Sequence, residues 1–423
     1  MRIANIKYTM KRNLLVFVLT LIVTASCFAQ INYPEKLAET IMTTYRDSMV
    51  VKKYASHLEQ DNLIKPGQTV EDAQNNRPAI WNYEMGVVLT GFERLAQISG
   101  NNKYYDYTKR ILDHFITPEG GIRTYEPDEY NMDNIPTGRQ LLHLYQRTKE
   151  EKYKIAATLL YKQLAWQPRN KIGGYWHKLK YPTQMWLDGL YMGEPFAAEY
   201  ALMFGDTRKF DDIINQFVWM EKYSRDAKTG LLYHGWDESR LQKWANPKTG
   251  LSPEFWSRAM GWYIMGLVDV LDYIPVSHKR RPELIAILKR LSTAIIKFQD
   301  TKEGVWWQVT DKANKELNYL ESSASAMFVY GLSKAVNKGY LDKSYLPAIT
   351  KGYNGLIKNF VVIDETGGVH YTKAVAGAGL GGIPYRDGTY DYYVNEPKRD
   401  DDLKAIGPFI QACIEYNLLV KGK

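Results

Sequence analysis

Asp188 has the setting in this chain that most suggests chemistry. It stands in Met185-Trp186-Leu187-Asp188-Gly189-Leu190-Tyr191-Met192, an acid among bulky apolar side chains. Burial disfavours a carboxylate and raises its pKa, which suits a proton donor working near neutral pH. Asp133-Asn134 opens an earlier apolar stretch. Two neighbouring acids tend to share a proton, which again favours one of them as the acid. The plainer reading makes both residues helix caps, a usual place for Asp. Arg258, in Phe255-Trp256-Ser257-Arg258-Ala259-Met260-Gly261-Trp262, requires an anionic partner. That partner is Asp133, another protein acid or a substrate carboxylate. His234, in Tyr233-His234-Gly235-Trp236-Asp237, is either an exposed loop histidine or a hydrogen-bonding group for substrate. Trp81-Asn82, Trp186 and Trp256 open apolar stretches, and Trp262 follows closely. Tryptophan is not a capping residue. Indoles with carboxylates and an arginine read as a sugar site, where flat rings stack on sugar faces.

These residues must be held by helices. Segments 35–55, 101–115, 151–166, 207–222, 281–299 and 344–360 are amphipathic with a charged face. Segments 80–98, 133–148, 188–204, 256–273, 321–338 and 402–419 are apolar and rich in small residues. The two sets alternate strictly. A helix apolar on nearly all faces must be buried on nearly all faces. Six such helices inside six amphipathic ones predict an all-α fold, a closed (α/α)6 barrel; an open solenoid of helix pairs is the alternative. The links leading into the apolar helices, such as 167–187 and 223–255, are long and aromatic, whereas the return links, such as Ser99-Gly100 and Gly205-Asp206, are short. Long loops therefore gather at the end where the inner helices begin, and function tends to sit on such loops. Strand-like pieces at 230–233, 305–308 and 368–371 are expected to form small hairpins there. No composition break marks a second domain, so 31–423 is expected to be one unit.

Composition bounds the rest. The 423 residues are 45% hydrophobic and 24% charged, which is globular and excludes a disordered chain. Two cysteines exclude a disulfide scaffold and a cysteine-rich zinc site. Seven histidines without HxH or HExxH spacing argue against zinc. No GxSxG elbow is present. The glycine-rich Gly377-Ala378-Gly379-Leu380-Gly381-Gly382 follows no clear strand and opens no helix, so it reads as a flexible loop rather than a dinucleotide fingerprint.

Residues 14–26 form an apolar or small stretch behind Lys11 and Arg12, the pattern of a secretory signal. Met10-Lys11-Arg12 offers a more typical opening for it than Met1. Cleavage is expected after Gln30, with periplasmic release; the alternative is a lipoprotein cut before Cys27 and anchored by lipid on it. The run is too short for a confident membrane span. Residues 1–30 hold four basic residues and no acid, so their removal lowers the formal charge from +8 to +4. That mild value gives no reason to expect nucleic acid. Cys413 would then be the one remaining cysteine, expected as a buried thiol. Nothing in the sequence speaks to an oligomeric state.

Taken together, the motif around Asp188, Asp133-Asn134 followed by Gly138-Arg139, the loop His234-Gly235-Trp236-Asp237 and WSRAMGWY with Arg258 resemble the unsaturated rhamnogalacturonyl hydrolases of glycoside hydrolase family 105. Glu321-Ser322-Ser323-Ala324 and the stretch Asp401 to Phe409 fit the same pattern, and the resemblance runs from about residue 35 to the C-terminus. The related unsaturated glucuronyl hydrolases of family 88 are close competitors. No catalytic position departs from the pattern, and segment 385–402 is not diagnostic.

The resemblance implies an (α/α)6 barrel and a substrate whose non-reducing end is a 4,5-unsaturated uronic acid left by a polysaccharide lyase. It implies that Asp188 protonates C4 and then deprotonates the water that adds at C5. Asp133 would set the pKa of Asp188 and hold sugar hydroxyls. Arg258 and His234 would bind the uronate or its hydroxyls, and Trp81, Trp186, Trp256 and Trp262 would stack on sugars. No metal or cofactor is implied. Rhamnogalacturonan disaccharides are the expected substrate, with glycosaminoglycan or ulvan fragments as the alternative. A conventional inverting glycosidase or sugar epimerase on the same barrel, and a glycan-binding protein without catalysis, are the rival classes.

Overall fold

A computed structural model describes residues 32–49 and 79–422 of the chain. The expected signal segment 1–30, Cys27 and the end of the 35–55 segment lie outside the described residues.

Thirteen α-helices form among the described residues. Six are inner: α2 (Tyr83–Ser99), α4 (Gly138–Thr148), α6 (Leu187–Phe204), α8 (Ser257–Val270), α10 (Ser322–Asn337) and α13 (Leu403–Lys421). Six are outer: α1 (Tyr33–Thr44), α3 (Lys103–Asp113), α5 (Glu151–Trp166), α7 (Lys209–Ser224), α9 (Arg281–Lys297) and α11 (Leu346–Phe360). The short α12 (Tyr390–Asn395) was not foreseen. Apolar patterning explains the division. Every residue of α8 is buried. In α3 the buried residues are Tyr104, Tyr107, Thr108, Ile111 and Leu112, one stripe at helical spacing.

The inner helices touch in the order α2, α4, α6, α8, α10, α13 and back to α2, and each outer helix packs on an inner neighbour. The contact between the first and last inner helices excludes the open solenoid, which would leave them apart. Small residues make the seam. A Cβ at Gly407 would overlap the Val87 carbonyl oxygen, and one at Gly91 would stand 3.0 Å from the Gly407 carbonyl oxygen. Lys404 at the start of α13 adds an ion pair to Glu84 of α2 at 2.6 Å.

Three two-stranded antiparallel ladders sit in the links: β1 (Gln184–Trp186) with β2 (Gly235–Asp237), β3 (Val361–Ile363) with β4 (Val369–Tyr371), and β5 (Ala374–Val375) with β6 (Lys398–Arg399). Of the three strand-like pieces, only 368–371 becomes a strand; 230–233 and 305–308 make single bridges. The 133–148 segment is α-helical only from Gly138, and its opening residues form a separate 3-10 turn, Met132–Asn134. Cys413 is buried and unpaired, and burial pushes its thiol up. No described helix is long and apolar enough to cross a membrane.

Away from their openings onto the long loops, the inner helices enclose a charged network that Arg139 joins from the first turn of α4. Asp269 of α8 bonds Arg139 at 2.8 Å, Lys334 at 2.7 Å and the Tyr330 hydroxyl at 2.6 Å. His143 of α4 bridges Glu93 at Nδ1 (2.8 Å) and Glu199 at Nε2 (2.6 Å). Burial opposes charge on that ring, but the two carboxylates outweigh it and hold its pKa well above the usual histidine range. A pKa raised in the folded state stabilises most below the unfolded value, near 6.5, and the gain fades as pH climbs through the folded value. His143→Gln is therefore expected to cost about 2 kcal/mol near pH 6. Melting temperatures of both proteins from pH 5 to 9 should converge with rising pH. A gap that does not change with pH would show that the imidazolium charge contributes nothing.

Candidate active site

The inner helices open onto a cavity of about 470 Å³. Such a volume suits a small sugar or disaccharide. Its wall carries Asp133, Asp188, Arg258, Asn82, Trp186, Trp256 and Trp262, seven of the nine residues singled out in the sequence. Trp81 and His234 do not line it.

Asp188 lies in the first turn of α6, immediately after β1. The ladder to β2 fixes that approach, with Trp186 opposite Gly235. Asp188 does not cap the helix: Trp186 is the cap residue and no side chain bonds the helix start. Its side chain is 11% exposed. Oδ2 is buried and has no hydrogen bond. His234 Nε2 lies 3.2 Å away, near enough for charge pairing but not aligned as a hydrogen bond, and is itself otherwise unpartnered. His234 is fully buried and its Nδ1 bonds the Tyr393 hydroxyl at 2.7 Å. Tyr393 and Trp256 pack around the His234 ring, which sits behind Asp188 rather than in the cavity wall.

Asp133 occupies a one-turn 3-10 segment, Met132–Asn134, capped by Asn131. It does not cap α4 either. Lys178 reaches its Oδ2 at 2.5 Å and His177 its Oδ1 at 3.3 Å. Burial alone would raise this carboxyl, but Lys178 and His177 overcome it and hold Asp133 well below the usual range. The acid is pinned as a carboxylate, so it does not share a proton in the way two free acids would. His177 and Lys178 were not singled out in the sequence. Their signal was weak: a histidine and a lysine in the long aromatic link 167–187, with no spacing to a partner 45 residues away.

Arg258 faces two ways. It lines the cavity. Its Nε donates to Ser323 Oγ at 2.6 Å, Nη2 donates to the Val375 carbonyl, and Glu321 lies 3.6 Å away. Of the partners weighed for it, the one the structure supplies is a protein acid, Glu321. That glutamate also caps α10 through the Ser323 and Ala324 amides. At the last inner helix Asp402 caps α13, while Asp400 and Asp401 bind the Lys373 and Tyr371 amides, so these acids are structural.

Trp81 also lies outside the cavity wall. It is 1% exposed and donates its indole N–H to the Asn134 carbonyl at 2.8 Å, so it buttresses the Asp133 turn from behind. Trp186 stacks on His177 and on Tyr181 with centroids 4.5 and 4.8 Å apart. Trp256 lies parallel to Tyr393, and Trp262 packs against Tyr191. Asn82 caps α2 through the Met85 amide. The glycine-rich segment, read as a free loop, borders the cavity through Gly377 and Ala378, and strand β5 does precede it. No group of three His, Cys, Asp or Glu side chains among the described residues is placed to hold a metal.

Comparison with known proteins fits this arrangement. The profile of Glycosyl Hydrolase Family 88 matches residues 55–420. A solved glycoside hydrolase from family 105 of C. acetobutylicum ATCC 824 is 42% identical, with a TM-score of 0.79 over 86% of this chain and 99% of its own. Protein Atu3128 of Agrobacterium fabrum is 42% identical over 236 residues, covering 54% of this chain and 100% of that one. The unsaturated rhamnogalacturonyl hydrolase YesR of Bacillus subtilis is 27% identical over 252 residues, covering 58% of this chain and 68% of that one.

Proposed function

The chain belongs to the glycoside hydrolases of the family 88 and 105 group, the unsaturated rhamnogalacturonyl and glucuronyl hydrolases, and on that premise we propose that it releases a 4,5-unsaturated uronic acid, derived from galacturonate, from the non-reducing end of rhamnogalacturonan disaccharides. Asp188 is the single acid and base. Its protonated carboxyl gives a proton to C4, and positive charge develops at C5, where the ring oxygen shares it. A water then loses a proton to Asp188 as its oxygen bonds to C5. The hemiketal at C5 opens by breaking its bond to the ring oxygen, which takes up a proton and becomes the hydroxyl of a hemiacetal at C1. Collapse of that hemiacetal expels the second sugar as an alcohol and leaves a keto sugar acid.

The observation that carries the reading is the unequal state of the two acids. Asp188 lines the cavity with its buried Oδ2 unbonded beside His234, while Asp133 is committed to Lys178 and His177. An inverting glycosidase needs a second carboxylate free to activate water. Hydration of a double bond needs one group that gives and then takes a proton, which is what Asp188 offers. In this reading Asp133 supplies fixed negative charge and accepts sugar hydroxyls, Arg258 and Asn82 hold the sugar, and Trp186, Trp256 and Trp262 bound its faces. His234 positions Asp188. The enzyme works in the periplasm on fragments an exported lyase has cut, with the basic and apolar run at 11–26 as support.

The test is the ultraviolet absorbance of the unsaturated uronate. The protein is expected to erase it from lyase-cut rhamnogalacturonan without added metal, because hydration destroys the conjugated double bond. Sugar release with the absorbance intact would sink the mechanism. Loss confined to glycosaminoglycan or ulvan fragments would move the substrate to the glucuronate series.

A further inference from the structure

Four lysine and arginine side chains among the described residues line the cavity. Three face carboxylates: Lys178 faces Asp133, Arg258 faces Glu321 and Arg399 faces Asp402. The fourth, Arg386, is held by neutral oxygens. Its Nε donates to the Gly381 carbonyl at 2.8 Å, and Nη2 donates to the Tyr181 hydroxyl at 2.7 Å and the Leu380 carbonyl at 3.3 Å. No ion pair joins it to an acid among the described residues. Glu396 also lines the cavity without meeting it, and burial lifts that carboxyl above its ordinary range despite the pull of Tyr392 and Arg386.

The glycine-rich segment makes room for this guanidinium. A Cβ at Gly379 would overlap Nη1 of Arg386, and one at Gly382 would stand 3.1 Å from Nη2. The segment is a cradle that grips the arginine through main-chain carbonyls and leaves its charge uncompensated. A guanidinium in a half-buried wall is the best available fork for an oxyanion, and an ammonium does not replace it.

We propose that Arg386 is the residue by which this cavity recognises an anion, an oxyanion of the sugar substrate, with Gly379 conserving the space that lets it do so. Two sources share that chemistry: the carboxylate of the unsaturated uronate and a sulfate ester on the neighbouring sugar. The identity of the sugar rests on the hydrolase reading above; the anion site does not.

The test uses the full chain, two unsaturated disaccharides that differ only in a sulfate on the second sugar, and the variants Arg386→Ala, Arg386→Lys and Gly379→Ala. Arg386→Ala is expected to raise KM about 10- to 100-fold with kcat changed about threefold or less, the loss of one charge-assisted contact. The rise occurs on both substrates if the uronate is read, and on the sulfated one alone if the sulfate is read. Arg386→Lys should recover only part of it. Gly379→Ala displaces the tip of a flexible side chain rather than backbone, so it should raise KM likewise while the melting temperature holds. Unchanged KM in Arg386→Ala on both substrates, or a fall in kcat alone, overturns the proposal. Calorimetry with saturated galacturonate and inorganic sulfate separates the two readings. If wild type leaves the chromophore untouched, the hydrolase reading fails, and the anion site still stands on weaker binding of either probe to Arg386→Ala. Equal binding by both proteins, or none by wild type, overturns it.

Discussion

Asp188→Asn is expected to lower kcat by about 10⁴-fold, roughly 5 kcal/mol of barrier, with KM little changed. The size follows from double use. The same carboxyl gives the proton to C4 and takes one from water, so the amide loses both steps. The amide keeps the shape and part of the polarity of the acid, so the cavity should still hold the sugar. Decay of the unsaturated uronate absorbance measures the rate directly. A variant within tenfold of wild type would remove Asp188 from the chemistry. Asp133 is a poor substitute donor, because Lys178 and His177 keep it ionised. His234 defines the nearest neighbourhood of Asp188, and its buried bond to Tyr393 fixes where that neighbourhood lies.

Asp269→Ala should be the most damaging change to stability. Asp269 is buried and receives Arg139, Lys334 and Tyr330 at once. Removing it takes the shared, fully buried counter-charge from two buried cations and leaves Arg139 only Glu199 at 3.5 Å and Lys334 only Asp272 at 2.6 Å. Breaking a buried pair this way costs about 3–5 kcal/mol. Urea unfolding should show the loss as a lower midpoint, while kcat at a permissive temperature stays near wild type because the network does not line the catalytic cavity. An unchanged midpoint would mean that Glu199 and Asp272 suffice to hold the two cations. Burial pushes this carboxyl up, but Lys334 and Arg139 prevail and bring it to about 2. A depressed pKa stabilises fully above the unfolded value, near 3.9, and the gain drains away as pH falls towards 2. Wild type and Asp269→Ala should therefore converge only in strong acid.

The barrel was legible because its two kinds of helix differ in composition, not only in period. Residues such as those of α8 have no polar face to spend on water, so their burial could be read directly. Asp188 was legible for the same reason, an acid where only apolar groups belong. Pairings across loops were not. The partner of Asp133 depends on how the link 167–187 folds over the helix openings, and no local rule encodes that. Trp81 and His234 stood at the right end of the barrel but lie behind the cavity wall, where the Trp81 indole N–H meets the Asn134 carbonyl and His234 Nδ1 meets the Tyr393 hydroxyl. Arg386 was hidden for the opposite reason. Its segment has neither helical nor strand period, and glycines whose meaning is a neighbour's side chain look, in sequence alone, like slack.

The seam between α13 and α2 also orders events in time. Lys404 and Glu84 meet across 320 residues of chain, and the cavity draws on both sides of that seam, Tyr83 and Glu84 from one and Arg399 from the other. Five inner helices can find neighbours as the chain grows, but the last has its place only after everything between is folded. Contacts so distant in sequence form late, since the intervening loop must be closed first. Turnover thus has a meaning beyond chemistry. During refolding, the first catalytic event marks the moment the ring shuts, and enzyme activity becomes a clock for the final step of assembly.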